Sequence, residues 1–366
     1  MAYLLPFLSA LAISAVLTGI LRKIGLKYGL VSRPRKRDIH KKPIPRIGGV
    51  AIFISFVLVV LGFVLLSGES LLFAPGEFLG IDRHFFGILA GGTLIVCTMF
   101  FDDIFGLKAW QKLSLQALAT LIVIGSGIGI NSLPNPFGGT IDLNSVYIPI
   151  VTLNGVVYHF SLWSDLLTLV WLVGMMNVIN FIDGVDGLAG GVSSIAAFTI
   201  FLLSISVAVS QPSVATISII LAGSCIGFLL WNFPPAKIFM GDTGSVFLGF
   251  MLGVLPLISG GKLATAFLVL GFPITDGLIV AGGRLLRKQN PFTTPDKTHL
   301  HHRFLRAGFT PRQAILSIYV ISAAFGWVAL RSTTLNKMIA AVILVAVLSV
   351  ITVFLSLISK KRASVI

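Results

Sequence analysis

The sequence predicts an all-α, polytopic membrane protein with about 11 transmembrane helices, the N-terminus outside, the C-terminus cytoplasmic, and a small external β-hairpin. Three observations carry that reading. The 366 residues are 56% hydrophobic and 11% charged, and the mean hydropathy is +0.99, whereas a soluble chain has about a quarter of its residues charged. Apolar runs of about 20 residues, enough to cross a bilayer, recur along the whole chain. The basic residues also sort to one side of those runs. Disorder, a secreted disulfide scaffold and an ordinary cytosolic enzyme are thereby excluded. The two cysteines, Cys97 and Cys225, lie in apolar runs and make neither a disulfide framework nor a CxxC metal site.

The spans fall near 3–21, 47–66, 85–101, 113–130, 163–179, 188–209, 213–231, 245–259, 263–283, 313–330 and 338–359. The first has its basic flank after it, from Arg22 onward, the reverse of a cleaved signal peptide, so it is expected to stay and to place the N-terminus outside. With that orientation 23 Lys and Arg lie on inner segments and four (Arg83, Lys262, Arg331 and Lys337) on outer ones, as the positive-inside rule requires. Among the outer segments, 139–160 carries Asn154-Gly155 between β-branched runs, a hairpin signal. The whole chain reads as one integral membrane domain, with cytoplasmic active-site loops at 102–112, 177–190, 232–245 and 285–312. The net charge of +14 suits anionic lipid or an anionic substrate. Nucleic acid is not expected, because the basic residues occupy short loops between apolar runs.

The unusual polar groups fall on the inner side. Asp102-Asp103 closes the third span; neighbours on a helix point about 100° apart, so the two carboxylates are expected to do different jobs. Asn177, Asn180, Asp183 and Asp186 recur every three residues, a stripe that drifts off one helix face, and Gly184 and Gly187 allow the helix to break. Gly241-Asp242-Thr243-Gly244-Ser245 opens the eighth span, where Asp242 reads both as a cap and as a ligand. Lys237 adds a cation just before it. His299, His301 and His302 lie among Arg and Lys residues and read as part of an anion-binding loop rather than a zinc site. For the basic segment 22–46, ending at Arg46, a topological flank and a patch for a phosphorylated lipid headgroup stay equally open. Asp276, within the ninth span, is expected to pair with Arg284.

The second, fourth, sixth and eighth spans would begin at the same face and turn their N-terminal amides and positive dipole ends toward it. Carboxylates and an anion-attracting face are reconciled by a divalent metal between carboxylate and phosphate, for which Mg²⁺ is the natural choice.

Four ordered motifs carry a resemblance: Phe101 to Leu107 (FDDIFGL), Asn177 to Gly190 (NVINFIDGVDGLAG), Ala236 to Ser245 (AKIFMGDTGS) and Pro291 to Arg303 (PFTTPDKTHLHHR). They resemble the polyprenyl-phosphate N-acetylhexosamine-1-phosphate transferases, and Arg46-Ile47-Gly48-Gly49 and Asp276 are similar to that family too. The resemblance implies transfer of a sugar 1-phosphate from a UDP-sugar to undecaprenyl phosphate at the cytoplasmic face of a bacterial inner membrane, with UMP released and Mg²⁺ required, Mn²⁺ substituting. It implies metal binding by Asp242 with Asp102 and Asp103. Catalytic roles fall to Asp102, Asp103, Asp183, Asp186 and His299. Substrate contacts fall to Arg46, Lys112, Asn177, Asn180, Lys237, Phe239, His301, His302 and Arg303, with Phe239 near the uracil. Leu300 interrupts the histidines, which matches the undecaprenyl-phosphate N-acetylglucosaminyl branch, with UDP-N-acetylglucosamine as donor, better than the phospho-N-acetylmuramoyl-pentapeptide branch. That branch starts O-antigen, common-antigen or teichoic-acid synthesis. A secondary transporter is the rival of another class, and a homodimer is left open.

Overall fold

The computed structural model describes residues 2–32, 43–67, 71, 73, 77–78, 81–135, 139–153, 156–207, 209–259, 263–288, 299–332 and 334–363. The helices are α1 (Leu4–Lys27), α2 (Gly48–Ser67), α3 (Arg83–Phe105), α4 (Ala109–Gly125), α5 (Leu162–Ile182), α6 (Leu188–Ser204) and α7 (Pro212–Asn232). They continue as α8 (Gly241–Ile258), α9 (Leu263–Val269), α10 (Gly271–Leu286), α11 (Leu300–Arg306), α12 (Pro311–Arg331) and α13 (Thr334–Ala363). Among the described residues, eight helices are long and apolar enough to cross a membrane: α1, α2, α3, α5, α7, α8, α12 and α13. The chain is a multi-pass helical membrane protein.

Each apolar run seen in the sequence holds a helix, but not each holds a full span. Helices α4 and α6 have 17 residues each, about 26 Å of rise against about 30 Å of hydrocarbon. The ninth run is broken into α9 and α10 around Leu270. Pro273 explains the break: it has no amide to give Val269, and its ring crowds that carbonyl. Leu344 of α13 fills the gap so closely that a Cβ on Gly271 would lie 1.9 Å from its Cδ2. Helix α4 also starts and ends earlier than its apolar run, because Gln111 Oε1 accepts from Lys108 N at its start and Gly127, at φ +91°, follows its end.

Helix α8 is the axis of the bundle. It is buried almost throughout and packs against α2, α3 and α5. Apolar side chains gain little by leaving lipid for protein, so close backbone approach has to hold such helices together. Gly249 allows it: a Cβ there would meet the backbone of Met175 and Met176 at 2.6 Å. Phe247 and Phe250 then fill the space beside α3 and α2, with Phe247 edge-on to Phe53 and Phe56.

Small sheets qualify the all-α description. Strands 147–153 and 156–161 pair antiparallel, with Tyr147 opposite Ser161 and a register shift between Pro149 and Val151. The expected hairpin is therefore present, its Asn154-Gly155 turn lying outside the described residues. It joins the C-terminal end of α4 to the N-terminal end of α5, the bundle end opposite the polar motifs. A second antiparallel pair, 132–134 with 140–142, lies in the same connection.

Candidate active site

The opposite ends of the same helices gather the polar motifs. The chain before α2 is laced to the chain before α8: Phe239 N donates to Pro45 O, Gly48 N to Phe239 O and Gly49 N to Met240 O. The approach needs Gly49 and Gly244 facing each other, since a Cβ on Gly49 would lie 2.1 Å from Gly244 N. Arg46 is thereby fixed beside the start of α8, and the last turn of α3 arrives from the other side.

Asp102 and Asp103 do different jobs, as their angular separation predicts. Asp102 is buried, accepts from Leu107 N at 2.7 Å and pairs with Lys112 Nζ at 2.5 Å. Asp103 accepts from Asp242 N (2.9 Å), Thr243 N (3.0 Å) and Thr243 Oγ1 (2.6 Å). It caps α8 from another helix, and this replaces the local cap expected from the Gly-Asp-Thr-Gly-Ser run. A positive φ of 75° at Gly241, where a Cβ would strike Asp103, makes room for it. Asp242 places Oδ1 2.6 Å from Arg46 Nη2 and Oδ2 2.8 Å from Lys112 Nζ. Arg46 Nε also lies 3.3 Å from Asp103 Oδ1. One oxygen from each of Asp102, Asp103 and Asp242 falls within 4.8 Å of the others. Three hard oxygen donors so spaced fit a divalent cation of the Mg²⁺ type.

The helix N-termini are less open than the sequence suggests. The first amides of α8 serve Asp103, those of α2 serve carbonyls, and Gly187 N, at the start of α6, donates to Asn232 Oδ1 at 2.8 Å. The protein satisfies these donors itself, so the cations Arg46 and Lys112, rather than bare amides, are what the cluster offers an anion.

Helix α5 breaks after Ile182 as its glycines predict, and Gly187 takes φ +79° before α6. Asn180 reaches α8, donating to Ser245 Oγ at 2.8 Å. Asp186 Oδ2 accepts from Ala236 N at 2.9 Å, tying the break to the loop before α8. Asp183 keeps part of its surface exposed, yet its carboxyl is crowded by packed atoms. That burial pushes its pKa well above the ordinary carboxylate value, against the pull of Arg46.

The histidines form a second cluster. His299 is buried, with Nδ1 2.8 Å from Asp276 Oδ2, and Leu300 N donates to Asp276 Oδ1 at 2.8 Å. Asp276 thus meets His299 where Arg284 was expected; eight residues along a helix is about 12 Å of rise, too far for an easy pair. His301 stacks on His299 with centroids 5.6 Å apart and planes 7° apart. It is 1% exposed, neither ring nitrogen has a hydrogen-bond partner, and burial, then His302 and His299, lowers its pKa well below the ordinary value. His302 lies 4.3 Å from it, centroid to centroid. The two clusters adjoin at Gly184, where a Cβ would sit 3.1 Å from His301 Nε2.

Residues 85–260 match the family model for glycosyl transferase family 4. A Bacillus subtilis protein named "Probable undecaprenyl-phosphate N-acetylglucosaminyl 1-phosphate transferase" is 33% identical over 90% of this chain and 85% of its own length. The chain belongs to this family. Its similarity lies with the N-acetylglucosaminyl branch. A decaprenyl-phosphate N-acetylglucosaminephosphotransferase of Mycolicibacterium smegmatis is 32% identical, covering 86% of this chain and 78% of its own. An undecaprenyl-phosphate alpha-N-acetylglucosaminyl 1-phosphate transferase of Yersinia pestis is 27% identical, covering 83% and 77%.

Of the residues picked from the family motifs, Arg46, Asp102, Asp103, Lys112 and Asp242 meet directly, and Asn180, Asp183 and Asp186 adjoin them. Three others have different engagements. Asn177 donates to Gln116 Oε1, a part-buried link between α5 and α4, and to Val173 O within its own helix. Lys237 stands over the Trp231 ring, 5.6 Å from its centroid, at the groove between α1 and α7. Arg303 Nη1 donates to Ser356 Oγ on α13 at 2.5 Å. Sequence reasoning missed Gln116 and Asn232, whose Nδ2 donates to Ile238 O. Each is a polar residue inside or ending an apolar run, the one signal that could have drawn attention to them.

Proposed function

We propose that this protein transfers N-acetylglucosamine 1-phosphate from UDP-N-acetylglucosamine to undecaprenyl phosphate. The reading of a polyprenyl-phosphate sugar-1-phosphate transferase is supported by the family and by the names of its relatives. One observation carries the chemistry: the three carboxylates of Asp102, Asp103 and Asp242 within 4.8 Å, bridged by Arg46 and Lys112. An oxygen of the lipid phosphate attacks the β-phosphorus of the donor. The bond from that phosphorus to the bridging oxygen breaks, and UMP leaves with the oxygen. Both reactants are anions, so their mutual repulsion is the main obstacle, and fixed cations at the reacting phosphates lower it. Arg46 and Lys112 would supply those cations, held beside Asp102, Asp103 and Asp242. A divalent ion held by Asp242 with Asp102 and Asp103, Mg²⁺ with Mn²⁺ as substitute, would supply further charge neutralisation there. His299, His301 and His302 would line the sugar-phosphate end. The site would face the cytoplasm, as the 23-to-four division of basic residues supports, and the product would enter cell-envelope polysaccharide synthesis at its first membrane step.

The test is the fate of the β-phosphate. Purified protein receives donor labelled in that phosphate, with undecaprenyl phosphate and Mg²⁺. The label should enter the lipid fraction, with UMP in the aqueous phase and none formed without the lipid. Label recovered in UDP would mean a sugar–oxygen bond had been cut, and the reading would fail.

A further inference from the structure

We propose that Asp276 is the positioning residue of His299: it fixes a proton on Nδ1 and leaves Nε2 as the atom the ring turns toward the phosphates. The proposal rests on the transferase reading above, within which His299 faces substrate.

The geometry is that of a buried acid ordering an imidazole. Asp276 and His299 are 5% and 6% exposed. The carboxylate is used at both oxygens, one by His299 Nδ1 and one by the backbone amide of Leu300, each at 2.8 Å. A carboxylate only accepts hydrogen bonds, so the partner nitrogen must carry the hydrogen. Nδ1 is then the protonated nitrogen, and Nε2 keeps the lone pair or takes a second proton. The bond to Leu300 N anchors the backbone next to the histidine as well, so carboxylate and ring are held in register from two points. Stacking on His301 at 7° and the Phe181 ring 6.2 Å away hold its plane.

A purely structural acid would not need this arrangement. A buried carboxylate is costly and calls for a partner, and a permanent cation would satisfy it more simply than histidine. The partner chosen is a ring whose two nitrogens have distinct roles, and the bond made by one decides the state of the other. The same logic orders the histidine of serine-protease triads, where an Asp-to-Asn change leaves the shape but imposes the wrong tautomer.

Asp276→Asn applies that logic here. The amide oxygen still accepts from Leu300 N, while its NH₂ donates to Nδ1 and drives the proton to Nε2. Nitrogen-15 spectra of histidine-labelled protein at about pH 8 read the tautomer, the His299 signal being assigned by its loss in His299→Gln. Wild type should show Nδ1 protonated, and Asp276→Asn should show Nε2 protonated and Nδ1 bare. Turnover should fall roughly 10²- to 10⁴-fold, with KM for the nucleotide sugar within about threefold, and Asp276→Glu should recover part of the rate. A bare Nδ1 in wild type would overturn the proposal without any variant, as would a folded Asp276→Asn protein with wild-type turnover. Loss of Tm with kcat and KM unchanged would assign Asp276 to structure alone and equally overturn it. Failure of the transferase reading would show separately, as wild-type protein releasing no UMP while the tautomer still switches.

Discussion

The carboxylate cluster and the histidine cluster adjoin at one end of the bundle and are built from opposite chemistry. In the first, three acids face Arg46 and Lys112, every contact is an ion pair or a charge-assisted hydrogen bond, and Asp242 bridges both cations. In the second, one acid, Asp276, meets an imidazole, and His301 is enclosed, neutral and without a hydrogen-bond partner. The first cluster sets three carboxylates against two cations, a formal excess of one negative charge that a further cation could offset. The second offers nitrogens whose state is set by burial and by one acid. The two should therefore respond differently to the same kind of change: charge removal ought to stop the reaction at the first, while the second ought to respond to pH.

The largest effect is expected at Asp242. Asp242→Asn keeps size and removes the charge shared by Arg46 and Lys112, while the backbone amide that Asp103 uses is untouched. UMP release should fall about 10³-fold, the scale of a lost electrostatic contact at a reacting centre, with helix content unchanged and Tm lowered only by the loss of the two ion pairs. Near-normal turnover at limiting Mg²⁺ would remove this cluster from the reaction.

Lys112→Met comes next. It strands Asp102, which is 7% exposed, with Leu107 N as its remaining hydrogen-bond donor. A buried charge left unpaired costs roughly 3–5 kcal/mol, and about half that is expected here because Lys112 keeps 29% of its side-chain surface exposed. Thermal melts in detergent should show the loss, and the double variant Lys112→Met with Asp102→Asn should regain most of it. A double variant no more stable than the single one would mean the ion pair is not what Lys112 contributes.

Much of this division was legible in the sequence, and the rest was hidden for definable reasons. Hydropathy located the helices, and the 100° step between neighbours is enough by itself to separate the roles of Asp102 and Asp103. Gly184 and Gly187 announced the break after α5. Hydropathy could not register the break at Leu270, because Pro273 sits in a continuous apolar run. The cap that Asp103 places on α8 spans about 140 residues of sequence, so local capping rules pointed to the wrong residues. The choice of Asp276's partner depended on how the chain returns after α10, and no spacing rule contains that.

The third effect is one of pH. His301 is neutral in the folded protein, and its pKa is lowered well below the ordinary 6.5. Below about pH 6.5 the unfolded chain takes up a proton there that the folded chain refuses, so stability falls as pH drops. The loss approaches about 1.4 kcal/mol per pH unit and ends once the folded pKa is passed. His301→Phe fills similar space with no titrating group, so its Tm should change less than that of wild type between pH 7 and pH 5. Parallel Tm curves for the two proteins would show that His301 is not the buried neutral group.

The smallest effect separates two lysines that look alike in sequence. Lys112 and Lys237 both follow an apolar-to-polar transition at the same face, and both are expected from the sequence as substrate contacts. Packing divides them. Lys112 Nζ sits between Asp102 and Asp242, while Lys237 lies over Trp231, whose Nε1 is committed to Ala15 O on α1. Lys237 is exposed, and an exposed cation over a ring is worth roughly 0.5–1 kcal/mol. Lys237→Gln should therefore lower Tm slightly and leave kcat and KM within about twofold of wild type, the range of a surface change away from the reacting centre. Lys112→Gln, assayed alongside, should reduce turnover by at least tenfold more. Equal losses in the two variants would place Lys237 at the phosphates as well, and the boundary of the charged cluster would have to be drawn through the groove between α1 and α7.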